Sequence, residues 1–523
     1  MLNNLVNYFG LQVFDILILF SVAAFALIWF RWTGKKLSSA PVARPLPPGP
    51  RGWPLVGYLP YLGEDLHIDL AALVDVYGPI YKFWMGTKLC VVVSSKELVS
   101  QVAKEKDTLF ANRDMGVAST IISQGGHDIA FQDYGPDWKK LRKILVREML
   151  SNTVMDDLIG LRREEMRKSV EDIKEKIDTP INIGLLTFQG TIRCIISMTI
   201  GSSLEGKDSI DAALFYAAAE ELVEMLGKPN ISDVFPLLKW FDLQKIGRNV
   251  SRVNKVFQSV FDNAIARQMK ALNSKNSPIV KESKYKDLLT YLVERHHENK
   301  DKETQITIPE IKAVLTDLFV AATDTIATSV EWTMTELLRH PKVMNKVNEE
   351  LKQIVGLNNI VEESHLPKLT YLSAVFKEAL RVHPPGPFLI PRSAKETTIV
   401  GGYTIPKGSA IFLNVWAVQR DPSLWENPLE FIPERFLMGN NVDYNLTGNN
   451  SDYIPFGIGR RICPGVSLGE KMSLYTLASF LHHFDWKLPN DTELEISDRF
   501  GLVLKKKVAL IAIPTPKISD NLV

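Results

Sequence analysis

Cysteine is scarce in this chain, with only Cys90, Cys194 and Cys463 among 523 residues. An odd, sparse set builds no disulfide framework and suits a reducing compartment. Excess charge of either sign is also missing. Lys and Arg number 61 against 60 Asp and Glu, so there is no global basic field to hold nucleic acid. No G-x-G-x-x-G follows a strand, which removes a directly bound dinucleotide, and neither His296-His297 nor His482-His483 has the H-E-x-x-H spacing of a zinc site. No period of 20–50 residues recurs, which excludes solenoids and propellers. Hydrophobic residues at 46% and charged residues at 23% exclude wholesale disorder.

What is present begins with an apolar run. From Leu11 to Phe30 a single acid, Asp15, interrupts a stretch long enough to span a bilayer as a helix. No Lys or Arg precedes it, while Arg31, Lys35, Lys36 and Arg44 follow. The positive-inside rule then leaves the amino terminus lumenal and the remainder cytosolic. A cleaved signal is the rival, but Trp29, Phe30 and Trp32 are poor neighbours for a small-residue cleavage site. The expectation is a transmembrane anchor over 1–32, single-pass, in the endoplasmic reticulum. A basic, Pro-rich hinge follows over 33–60 (Pro41-Val-Ala-Arg-Pro-Leu-Pro-Pro-Gly-Pro50, then Pro54 and Pro60), stiff and extended. One domain fills 61–523.

Apolar residues at three and four spacing predict helices over 137–150, 160–177, 212–226, 250–272, 309–338, 342–355, 371–382 and 464–484. Alternating or β-branched runs predict strands at 80–94, 398–404, 409–413 and 508–513. The fold class is mainly α (α+β), helix-rich with small sheets, and its size in one body hints at a large enclosed ligand.

Cys463 lies in Pro455-Phe-Gly-Ile-Gly-Arg-Arg-Ile-Cys-Pro-Gly465. The glycines let backbone turn tightly and a flat group approach closely. Pro464 suits a first helical position. A cysteine at a helix amino end beside Arg460 and Arg461 favours a thiolate, a ligand for a soft metal centre. Elsewhere, Glu378 and Arg381 share a helix face at i and i+3, and Asp324 and Thr325 are polar within an apolar helix. One competing motif is Gly465-Val-Ser467-Leu-Gly469, which matches the hydrolase nucleophile elbow, but the residues before it are too charged and glycine-rich for the strand that an elbow requires.

Phe456-x-x-Gly459-x-Arg461-x-Cys463-x-Gly465 resembles the haem-ligand loop of the cytochrome P-450 superfamily. Trp138-Lys-Lys-Leu-Arg142, Ala321-Ala-Thr-Asp324-Thr325, Glu378-Ala-Leu-Arg381 and Pro433-Glu-Arg435-Phe436 resemble its other marks, in order, and the wording is closest to the plant microsomal branch. The resemblance implies a haem-thiolate monooxygenase with haem b. Cys463 would be the axial ligand, among Phe456, Gly457 and Gly465. Trp138, Arg142, Arg392 and Arg461 would meet the propionates. Asp324 and Thr325 would relay protons, though Ala322 stands where the family usually has Gly and Ile326 where it often has Ser or Thr. Glu378, Arg381 and Arg435 would form a buried cluster that fixes geometry.

No C-x-x-C-H exists, so attachment would be non-covalent. Electrons from NADPH would arrive only through a partner, the membrane-bound NADPH–cytochrome P-450 reductase. Lys139, Lys140, Arg142, Lys143 and Arg147 offer a basic docking face. One oxygen atom of dioxygen would enter a hydrophobic small molecule, with Ala321, Phe388, Leu389 and Leu502 as expected contacts. Tyr134-Gly-Pro-Asp-Trp138 and Met149-Leu-Ser-Asn152 resemble plant enzymes of sesquiterpene metabolism, which makes a terpenoid the first expectation and a flavonoid or phenylpropanoid the alternative. In a different class stand a haem-thiolate isomerase or dehydratase and a non-catalytic haem protein.

Overall fold

The computed structural model describes residues 44–201, 212–273, 286–297, 305–437, 444–490 and 493–517, together with Phe20, Ser21 and Ala24. The expected anchor over 1–32 and the first part of the hinge otherwise lie outside the described residues. From Arg44 onward the Pro-rich segment runs along the body. Thr404 donates its amide to Pro45 O at 2.8 Å and Lys82 donates its amide to Pro48 O at 2.8 Å.

Eleven longer helices carry the described chain: α1 (Leu66–Tyr77), α2 (Pro136–Glu148), α3 (Ile159–Lys174), α4 (Ile183–Ile200), α5 (Ala212–Gly227), α6 (Ile246–Asn273), α7 (Leu288–His297), α8 (Ile308–Arg339), α9 (Pro341–Ile354), α10 (Thr370–Val382) and α11 (Val466–His483). Helix α8 is the spine. Its start is fixed by a capping box between Thr307 and Glu310, with Pro309 in the first turn. It is apolar almost all round and packs against α4, α11, α10 and α5, as a central helix must. Both α4 and α8 are long and apolar enough to cross a membrane, yet most of each is buried inside the domain.

Helix α4 escapes the periodicity argument because its sequence is β-branched and holds Gly184 and Gly190. Those glycines let helices close in. A Cβ on Gly190 would meet Ser169 Oγ at 2.6 Å, and one on Gly184 would meet the Glu331 carboxylate at 2.8 Å.

The main sheet runs β1-β2-β8-β5-β3, with β1 (Ile80–Met85), β2 (Lys88–Val93), β3 (Asn112–Arg113), β5 (Arg392–Ser393) and β8 (Ala410–Leu413). The predicted strand over 80–94 is thus a hairpin, β1 to β2. The 398–404 run is also a hairpin, β6 (Thr398–Val400) to β7 (Tyr403–Ile405), turning on Gly401 and Gly402 at positive φ. The last strand sits three residues later than predicted. β12 (Ile511–Pro516) joins β4 (Ile181–Asn182) and β9 (Phe484–Lys487), and its Pro514 and Pro516 hid it from a strand pattern.

The Glu378 carboxylate is fully buried on α10. Arg381 donates to it twice, at 2.7 and 2.8 Å, Arg435 donates at 3.1 Å, and the Ile432 amide at 2.8 Å. Arg381 also reaches the carbonyls of Gln419, Pro428 and Glu430. The cluster therefore pins the chain between β8 and α11 to α10. Removing one charge leaves buried cations without a counter-ion, at a cost of about 3–5 kcal/mol. Glu378→Gln should lower the thermal midpoint sharply, whereas breaking the exposed Lys346–Glu434 pair with Lys346→Ala should change stability by about 1 kcal/mol or less. Calorimetric melts of the two variants check this.

Candidate functional site

The loop before α11 is shaped by glycine. Gly457 and Gly459 have φ of 78° and 72°, and a Cβ on Gly459 would overlap Ala103 O at 1.7 Å. The Cys463 amide donates to Phe456 O at 2.9 Å and closes the loop on itself. The Phe456 ring lies over Gly469, in the first turn of α11. Gly465 is the N-cap of α11. Pro464 therefore precedes the cap instead of opening the helix. The free Cys463 thiol is pushed up by burial, against the Gly465 amide and Arg142, which favour the thiolate. The helix end alone does not ionise it. A bound metal cation would, since a coordinating thiol is deprotonated outright.

Around this loop gather guanidinium groups. Arg392 on β5 pairs directly across the sheet with Arg113 on β3, a like-charge juxtaposition that is unfavourable by itself. Arg392 donates to Ile458 O at 2.8 Å, while its buried Nη1 has no partner among the described residues. Arg142 on α2 donates to Ile462 O at 2.6 Å. Arg461 donates to Ala111 O at 2.6 Å, Ile129 O at 3.1 Å and Gln132 O, and lies 4.5 Å over the Trp138 ring. Trp138 Nε1 donates to the same Ile129 carbonyl at 3.0 Å. Burial pushes Arg392 down to about 10, and burial with Arg392 pushes Arg461 down to about 10. Burial, then Arg461 and Arg392, hold Arg113 well below its ordinary value. Such a cluster calls for an anion of more than one charge. A porphyrin bearing two carboxylates would satisfy it, and Cys463 would supply a thiolate to its metal, so the residues present fit a haem.

Helix α8 shows a second face. Ala321 is exposed in the middle of a mostly buried helix, and Thr325, one turn on, is half-exposed, so this face is left without full packing by the described residues. Thr325 Oγ1 donates to Ala321 O at 2.6 Å. Asp324 points the other way. Its Oδ1 lies 2.6 Å from Lys505 Nζ, and its buried Oδ2 has no partner among the described residues. Burial pushes the Asp324 carboxyl up, against the pull of Lys505.

Two residues went unnoticed in the sequence. Arg113 sits in a two-residue strand with no motif of its own. Asp317 lies two turns before Thr325 on the same face, and its carboxylate accepts the amides of Ile129 and Ala130 at 2.7 and 3.2 Å. An acid within the apolar stretch Leu315–Phe319 was the available signal for Asp317. Of the expected basic face on α2, Lys140 turns inward to Glu310 at 2.7 Å and Arg142 to the loop. Lys139, Lys143 and Arg147 remain exposed.

The expected substrate contacts scatter. Phe388 is buried in an aromatic group with Phe412 and Phe500. Leu389 holds a left-handed φ of 55° against Gly457. Leu502 backs onto Gly227 at the end of α5.

The elbow reading of Ser467 fails, because no strand precedes it. His482 and His483 spend ring nitrogens on the carbonyls of Asn359 and Ser479.

The cytochrome P450 family model matches residues 47–513. A flavonoid 3'-monooxygenase of Crocosmia x crocosmiiflora is 36% identical over 91% of this chain and 94% of its own length. A flavonoid 3',5'-hydroxylase of Campanula medium is 36% identical over 91% and 92%. A zebra fish cytochrome P450 structure with progesterone superposes with a TM-score of 0.73 at 26% identity, over 86% of this chain and 99% of that one. The family carries haem b and typically takes its electrons from a reductase. The chain belongs to the cytochrome P-450 superfamily, plant type, and is a haem-thiolate monooxygenase.

Proposed function

We propose that this monooxygenase hydroxylates the aromatic ring of a flavonoid or a closely related polyphenol. The observation that carries the reading is the near-full-length likeness to flavonoid 3'- and 3',5'-hydroxylases. It displaces the sesquiterpene expectation, which rested on two short stretches around Trp138 and Met149. The same relatives favour oxygen insertion over the isomerase, dehydratase and sensor alternatives.

Bound haem supplies dioxygen binding and the oxygen-atom transfer. The chain's own residues do the rest. Cys463 would ligate the iron as thiolate, with Phe456, Gly457 and Gly465 shaping its seat. Arg113, Arg142, Arg392 and Arg461 would hold the two propionates, the partnerless Nη1 of Arg392 being the clearest vacancy for one. Trp138 braces Arg142 and Arg461 by stacking. Thr325 Oγ1 and the free Asp324 Oδ2 would hold and pass protons, with Lys505 holding Asp324 by its other carboxylate oxygen. Ala321 and Leu502 would border the substrate. Phe388 would act from behind Phe500, and Leu389 would hold the Cys463 loop in place. Ala322 and Ile326 narrow the groove beside Thr325 relative to the family pattern.

The domain would sit on the endoplasmic reticulum membrane, single-pass and facing the cytosol, held by an anchor over 1–32 and a hinge over 33–60. The turn Pro236–Phe241 supports a membrane-facing side, with Leu237 89% and Trp240 93% exposed. Electrons would come from NADPH–cytochrome P-450 reductase, docked against Lys139, Lys143 and Arg147.

Cys463→Ala should abolish the carbon monoxide Soret band of thiolate-ligated iron, read in membranes against wild type. With reductase and NADPH, a flavanone should be hydroxylated and a sesquiterpene left unchanged; the reverse result sinks the substrate reading. Asp324→Asn should lower product formation by about a hundredfold or more while the flavanone-induced spectral shift persists. Without residues 1–43, the double change Leu237→Asp and Trp240→Asp should move the protein from the membrane to the soluble fraction, as sedimentation with liposomes would record.

A further inference from the structure

Two-residue strands do not hold a hairpin. β10 (Asp498–Arg499) and β11 (Lys505–Lys506) pair over two residues only, too few for stability by themselves. Their intervening loop carries Phe500 and Leu502, so side chains outside the hairpin must position it. Lys505 is tied to Asp324 at the β11 end. At the β10 end stands His67, from α1, more than 400 residues earlier in the chain.

His67 is fully buried. Its Nε2 lies 3.2 Å from Asp498 Oδ1, a close polar contact not aligned as a hydrogen bond. Its ring stacks on Phe500, with centroids 5.9 Å apart and planes 11° apart, and meets Trp416 edge-on at 5.5 Å. Phe500 in turn meets Phe388 edge-to-face at 5.9 Å. Burial raises the Asp498 carboxyl, but His67, His383 and Arg420 outweigh it and hold it below its usual range. A buried imidazole thus grips both the strand and the ring that the strand delivers. Nothing in the mechanism above uses it.

We propose that His67 is a positioning residue for substrate, setting the tilt of Phe500 through Asp498 and so the shape of the aromatic side of the pocket. The inference rests on the aromatic-substrate reading for its ligand, but the coupling it asserts is independent of which substrate is taken. An aromatic azole therefore serves as probe. Phenylimidazole binds haem iron and fills the pocket whatever the natural substrate, and its spectral titration reports affinity of the holoenzyme without turnover.

His67→Leu and Phe500→Ala should each weaken phenylimidazole binding by about fivefold to tenfold, and the double variant should bind within about twofold of Phe500→Ala alone, as expected for residues that act as one unit. Carbon monoxide spectra should be unchanged throughout. If His67→Leu does not fold, Asp498→Asn takes its place with the same expected non-additivity. Multiplying effects in the double variant, or unchanged affinity in either single variant, overturns the proposal. Failure of the flavanone to shift the wild-type spectrum while this non-additivity holds would strike the substrate reading and leave the His67 coupling standing.

Discussion

The structure depends on an electrostatic debt at its centre. Arg113 and Arg392 face each other across adjacent strands, and Arg142 and Arg461 close in from α2 and from the Cys463 loop. Carbonyl oxygens of Ala111, Ile129, Gln132, Ile458 and Ile462 take part of the load. Carbonyl dipoles do not neutralise charge, and burial lowers the proton affinity of each guanidinium in turn. A dianionic prosthetic group held here would resolve the repulsion, and its binding energy would then also be folding energy for the loops that hold these arginines. One residue of these loops, Ile129, is held on both flanking peptides: its N–H by Asp317, its carbonyl by Trp138 and Arg461.

Helix α8 divides the labour between two faces. Asp317, Ala321 and Thr325, spaced by four, form an incompletely packed stripe, while Asp324 turns to Lys505 and the β10–β11 hairpin. One residue of rotation along the helix separates the Thr325 hydroxyl from the Asp324 carboxylate. The threonine bonds back to its own helix carbonyl, so its hydroxyl is held in place without a partner from elsewhere.

Legibility in the sequence followed the range of the forces involved. Long amphipathic helices such as α6 and α9 could be read from spacing, because one face of each packs inward and the other meets solvent. The mostly buried α4 could not, since a helix with packing on most sides has little period to display and its β-branched residues suggest a strand as readily. The Cys463 loop was legible because glycine, arginine and cysteine are needed together within ten residues. Glu378 and Arg381 were legible as neighbours on one turn, whereas their tie to Arg435 depends on chain returning from far along the sequence. Arg113 and Asp317 were not legible, because the partners that give them meaning stand far along the chain, Arg392 for Arg113 and Ile129 for Asp317. The basic helix α2 misled in part: composition places Lys140 and Arg142 with the other cations, but Glu310 and Ile462 draw both inward.

Substrate preference was the least legible property, and the architecture says why. The segments nearest the pocket are short turns and two-residue strands with little intrinsic structure. Their geometry comes from distant tethers: Gly227 making room for Leu502, His67 gripping Asp498 and Phe500, Leu389 strained against Gly457. On the proposed reading, a sequence change at any tether would reshape the pocket without touching a ligand. Two chains can therefore share every haem-binding residue and the whole helical frame, yet differ in what they oxidise. The haem site is over-determined by charge, whereas the pocket is determined by packing that tolerates small shifts. That asymmetry lets one fold conserve a reaction and vary its substrates.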